Sequence, residues 1–170
     1  TTNTAVDADY PGWVRDPATG CSYSQFDDRQ NYSEAVEFCA DVDRVLRNDS
    51  QLAVIRSIEI ARLIATLEST THGNPRWVEG YLNSAGIWVG AEKIGELDLW
   101  YPGEPSFIEG QPRRLCVQQG ITNRPLSRTY GTYLFDNGDC DTKRRFVCEA
   151  CPHDVRTRTT APSLPPTSLP

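Results

Sequence analysis

Four arginines sit in a stretch of an acidic chain where cations are hard to explain. The 170 residues carry a formal net charge of -6. Yet "GQPRRLC" places Arg113 and Arg114 between Pro112 and Cys116, and Arg124 and Arg128 come soon after. Between Gln111 and Arg145 seven Lys or Arg face three Asp. A guanidinium holds a carboxylate, sulfate or phosphate through two parallel hydrogen bonds, so four of them suit an anionic ligand. The Gln111 amide, the Tyr130 phenol, Asp136 and Asn137 add donors and acceptors to that set, and Tyr101, Phe107, Tyr130 and Tyr133 offer rings for stacking. A plainer reading stands beside it: the arginines pair with Glu104, Glu109 and Asp136 and hold a loop together.

No catalytic constellation accompanies these residues. The only histidines are His72, in the turn "THGNP", and His153, past the last strand-like run, so no acid–base pair is evident and no enzyme is expected. The six cysteines form an even set. "CEAC", Cys148 to Cys151, formally reads as a redox or zinc pair, but zinc needs two further ligands. A disulfide framework in an oxidising compartment fits better, with fifteen connectivities open. Two Asn-x-Ser triplets, at Asn31 and Asn48, agree with secretion and N-glycosylation. No apolar run approaches the ~18 residues of a membrane span, and neither membrane insertion nor a nucleic-acid partner is expected. With no Met, the chain reads as a processed protein or an excised piece of a larger one.

Two helices must position the strands and loop that carry these residues. "NYSEAVEFCADVDRVL" puts Tyr32, Ala35, Val36, Cys39, Val42 and Leu46 on one stripe, and Asn31 with Glu34 forms a capping-box pattern. "SIEIARLIATLE" repeats the period, with Ser57 as N-cap. The chain then becomes strand-like in "GIWVGAE", "LCVQQGI", "TYLFDN" and "RRFVCEA", interrupted by a long irregular stretch from about Ile94 to Leu134. Helices first, then strands and one long loop, predict an α+β fold. Residues 1–11 read as a lead-in and 12–151 as the folded domain. Residues 152–170, Thr/Ser/Pro-rich, read as a disordered linker or stalk.

These segments, in this order, resemble the C-type lectin-like domain in its long-loop form. "NYSEAVEFC" is similar to the family's first helix, and "LAVIRSIEIARLI" to the approach to its second. "IWVGAE" resembles the core strand in Trp88, Val89 and Gly90. "FDNGDC" and "FVCE" resemble the closing cysteine-bearing strands. The resemblance spans about Gly12 to Cys151. It implies two helices flanking small antiparallel sheets, stapled by Cys39–Cys148 and Cys116–Cys140, with an extra Cys21–Cys151 pair. It also implies an extracellular recognition module whose partner is a glycan or an extracellular protein.

Family members that bind sugar do so through Ca²⁺, which takes six to eight oxygens. Their ligands come from a Glu-Pro-Asn or Gln-Pro-Asp triplet and from a later Trp-Asn-Asp. Gln111-Pro112-Arg113 resembles the first triplet with a guanidinium in place of an oxygen ligand, and Pro112 is where the family's cis peptide would fall. Phe135-Asp136-Asn137 resembles the second with its last two residues exchanged, which turns each to the other face of a strand. The family's acidic residue before the third core cysteine is Leu115 here. The resemblance therefore implies carbohydrate binding through the long loop, toward anionic glycans and without calcium as a cofactor. Glu104, Glu109, Asp136 and Asn137 are the fallback ligands should the ion be retained. The alternative is a calcium-independent protein-binding domain that has lost the sugar site.

Overall fold

The computed structural model describes residues 12–42, 49–67, 75–107, 115–120 and 134–157. Strands β1 (Val14–Arg15) and β2 (Ser22–Gln30) lead into helix α1 (Tyr32–Asp41). After β3 (Asp49–Leu52) come helix α2 (Ile58–Thr66), β4 (Arg76–Leu82), β5 (Trp88–Val89) and the short helix α3 (Glu92–Glu96). Strands β6 (Cys116–Gln119), β7 (Phe135–Gly138) and β8 (Arg144–Cys151) close the domain, and α4 (His153–Thr157) comes last. Both expected helix starts are present. Asn31 Oδ1 accepts from the Glu34 amide at 2.9 Å while Glu34 Oε2 accepts from the Asn31 amide, also at 2.9 Å. Ser57 Oγ accepts from the Ile60 amide at 3.2 Å. Of the α1 stripe, Tyr32, Ala35 and Cys39 are buried, and Leu46 lies outside the described residues.

Three differences from the sequence reading matter. The strands join one eight-stranded sheet of order β1-β2-β8-β4-β6-β7, with β3 on β8 and β5 on β4, rather than small separate sheets. Its β4–β8 pairing is parallel, so the sheet is mixed. A second difference is β4, "RWVEGYL", which the periodicity did not suggest because six of its seven residues are buried and no alternation marks it. Third, α3 begins where the long loop was expected to begin, and Val155 of α4 packs on the core beyond the expected boundary at 151.

All three disulfides have the pairing that the resemblance implied: Cys21–Cys151, Cys39–Cys148 and Cys116–Cys140. Two apolar clusters lie beneath them. One gathers α2, β4, β6 and β7 around Ile60, Ile64, Val78, Ile94, Val117 and Phe135. The other packs α1 against β8 through Tyr32, Cys39, Trp77, Phe146 and Cys148. Inside the fold, the fully buried Glu149 accepts from both Arg56 terminal nitrogens at 2.7 Å, from Gln51 Nε2 at 2.8 Å and from the Val54 amide at 3.1 Å. Four charge-assisted or neutral bonds replace the water that this carboxylate lost.

Arg56→Met leaves that carboxylate buried without its cation and should cost about 3–5 kcal/mol by denaturant melt. Adding Glu149→Gln, which keeps an acceptor for Val54, should return most of it. Burial also pushes the Tyr23 and Tyr32 phenols well above their ordinary value, with Glu149 and Glu79 adding to it. The native state thus keeps protons that the unfolded chain releases near pH ~10, and stability should fall as pH rises through that value. An alkaline titration should show these phenolates appearing together with unfolding, not before it.

Candidate functional site

The site is built where the chain returns from α3 to run beside β7. The Tyr101 amide donates to Phe135 O at 2.7 Å and the Phe135 amide to Leu99 O at 3.0 Å, so residues 99–101 lie along the start of β7. The Glu104 amide then closes a turn onto Tyr101 O at 2.8 Å. This delivers Glu104-Pro105-Ser106 to the next part of β7. There Asn137 meets the Ser106 backbone at two points: Oδ1 accepts from its amide at 2.9 Å, and Nδ2 donates to its carbonyl at 2.7 Å. Glu104 Oε2 accepts from the same amide at 2.7 Å. The Glu104–Pro105 peptide is cis.

A side-chain amide used this way copies one rung of a β-ladder. Its oxygen and nitrogen are both engaged, and Asn137 is fully buried. Asp136, in register with Gln118, is buried as well, and strand alternation turns it to the other face. Glu104 and Asn137 therefore both hold the Ser106 turn, while Asp136 faces away from it.

Just past the clamp the surface turns aromatic. Phe107 is 59% exposed and stacks at 25° on Trp88 with 6.5 Å between centroids. Trp88 in turn packs on Trp100 at 5.2 Å, and Ile87 beside it is 58% exposed. The result is an apolar ledge whose inner part is tied to the core. At the far end of β6 the Gly120 amide donates to Leu134 O at 3.1 Å, which joins that strand to the start of β7.

No known family's sequence profile matches the chain, and no curated protein does. Solved structures do. The human scavenger receptor C-type lectin carbohydrate-recognition domain aligns over 84% of this chain and 98% of its own, at 17% identity and a TM-score of 0.64. A calcium-independent type II antifreeze protein aligns over 82% and 92%, at 17% identity and 0.60. The C-type lectin CEL-I from Cucumaria echinata aligns over 81% and 93%, at 14% identity and 0.59. The chain has the C-type lectin-like fold.

Within this C-type lectin-like domain, the residues singled out from sequence divide in two. Glu104, Asp136 and Asn137 are described, and the first and last are brought together through Ser106. Glu109, Gln111, Arg113, Arg114, Arg124, Arg128 and Tyr130 lie outside the described residues, as does the second sequon, Asn48. Glu104-Pro105-Ser106 is a triplet set against β7, carried there by Trp100, which lies four residues before Glu104 and bridges to Phe135. Gln111-Pro112-Arg113, to which the resemblance gave the first-triplet place, lies outside the described residues. Of the rings offered for stacking, Tyr101 is buried and Phe107 is exposed, while Tyr130 and Tyr133 lie outside the described residues.

Asn137→Ala removes both bonds to Ser106 and should cost about 1–3 kcal/mol, with faster hydrogen exchange at the Ser106 amide. Asn137→Asp keeps the shape but sets a carboxylate oxygen against the Ser106 carbonyl. It should cost at least as much in a thermal melt.

Proposed function

We propose that this domain is an extracellular, non-enzymatic recognition module that binds carbohydrate across the long-loop side, without the family's calcium clamp. The observation that carries the proposal is the meeting of the amide clamp and the aromatic ledge. An amide that family members would spend on an ion is closed onto Ser106, and an exposed Phe107 stands next to it on a Trp88 support. A sugar ring presents C–H faces that pack on an aromatic plane, and a ring already stacked from behind loses little freedom on binding. Arg113, Arg114, Arg124 and Arg128 follow Phe107 in the sequence, and such a set of guanidiniums suits sulfated or sialylated glycans, each acid group held bidentately. Three disulfides support an oxidising, extracellular setting.

A glycan array probed in millimolar calcium and again in EDTA tests this. Binding to sulfated or sialylated glycans should be equal in both and should weaken with salt. Phe107→Ala should weaken binding roughly 3- to 10-fold, the equivalent of about 1 kcal/mol. Arg113→Ala with Arg114→Ala should remove the preference for acidic glycans. Binding lost in EDTA would sink the calcium-free reading. A silent array would favour a protein ligand, which the exposure of Phe107 on its Trp88 support already makes the second reading: an aromatic anchor on a firm base suits the centre of a protein interface.

A further inference from the structure

We propose that Asn31 carries an N-linked glycan, attached before α1 docks and compatible with the helix cap that the same residue forms. The proposal rests on the extracellular setting of the proposed function and not on its ligand. Asn31-Tyr32-Ser33 is an acceptor triplet, and the fold decides which atom of Asn31 is available. Its backbone amide donates to Glu34 Oε2, its carbonyl accepts from the Ala35 amide at 2.9 Å, and its Oδ1 accepts from the Glu34 amide. Only Nδ2, the atom that a glycan would occupy, has no role in the cap. Ser33 is exposed in the first turn. Beside the cap, Gln30, Glu34, Glu37 and Phe38 line an open groove of about 400 Å³.

The chemistry needs a donor of one class, an oligosaccharide carried on a lipid pyrophosphate in the secretory compartment. The new bond joins Nδ2 to the anomeric carbon of the sugar. The carbon–oxygen bond to the pyrophosphate breaks, the pyrophosphate leaves with the bonding pair, and the amide nitrogen gives one proton to a base of the transferase. Afterwards Nδ2 still carries one hydrogen and Oδ1 still accepts from Glu34, so the cap survives.

The middle residue of the triplet sets the timing. In the folded domain the Tyr32 side chain is buried, its hydroxyl accepts from the Gly80 amide at 2.9 Å, and its own amide donates to Cys140 O at 3.0 Å. A triplet anchored at its centre cannot be lifted into a transferase. It is open only while α1 is undocked, and α1 is stapled by Cys148, which lies 109 residues downstream of Cys39. A chain entering the secretory compartment N-terminus first exposes Asn31 long before that staple can close.

The test uses the chain secreted from a glycosylating eukaryotic cell, treated with the amidase that releases N-glycans and converts each occupied Asn to Asp. Peptide mass spectrometry should find Asn31 converted in most molecules. Ser33→Ala should abolish that conversion, and its thermal midpoint should match that of the parent chain made without glycosylation, because the cap is untouched. Unglycosylated chain given to isolated transferase and donor should accept sugar at Asn31 when reduced and unfolded, and not when folded. Recovery of Asn31 unchanged from the secreted protein, whether or not Asn48 is converted, would overturn the site. Transfer onto the folded, oxidised domain would overturn the timing. Neither result bears on glycan-array binding, which tests the recognition reading separately.

Discussion

Strand β8 must meet three partners that lie far earlier in the chain, and the rest of the molecule is arranged around that demand. Its residues 144–150 pair with β2, its first part runs parallel to β4, and its last four residues pair with β3. The β2 and β8 partners are more than a hundred residues apart, so no local turn sets their register, and the whole intervening chain must be closed as a loop first. Cys21–Cys151 and Cys39–Cys148 span 130 and 109 residues. In chain-entropy terms each removes about 5 kcal/mol of disorder from the unfolded state. They make permanent the closure that β8 requires.

The same strand carries the most demanding polar group of the interior. Glu149 faces β3 and the segment after it, and its four hydrogen bonds come from Gln51, Val54 and Arg56. A buried ion pair is weak evidence for net stability, since desolvation offsets much of its attraction. Here its geometry specifies position: a slip of β3 by one residue would carry the Gln51 donor to the opposite face and separate Val54 and Arg56 from the carboxylate. The aromatic packing of Phe26 on Phe146 at 5.5 Å, and of Tyr32 on Trp77 at 5.8 Å, fills the space on the α1 side of the sheet.

At the other side, a C-type lectin-like fold has to present a long stretch of chain with little regular structure beneath it. In this molecule the work is shared between the Cys116–Cys140 staple and the Asn137 amide, which treats Ser106 as a strand neighbour. The rings of Trp100, Trp88 and Phe107 lead from the core outward to the exposed ledge that follows Ser106.

The sequence by itself determined the helix starts, because a cap is a local matter: Asn31 with Glu34 and Ser57 with Ile60 need only a few consecutive residues. It also determined the α+β class, four of the strands, and, through the order of its motifs, the family resemblance that carried the disulfide pairing. Tertiary structure alone decided the rest. Strand β4 is buried on both faces and so shows no alternation. Gly80 within it, at φ 143°, is required because a Cβ there would come within 2.6 Å of Ala91 and 2.7 Å of Val117, two residues from other parts of the chain. The seat of Glu104-Pro105-Ser106 against β7 was likewise not local. It is made by the bridge from Trp100 to Phe135 and by the reach of the Asn137 amide across 31 residues, and long-range bonds of that kind leave no spacing in the sequence to read.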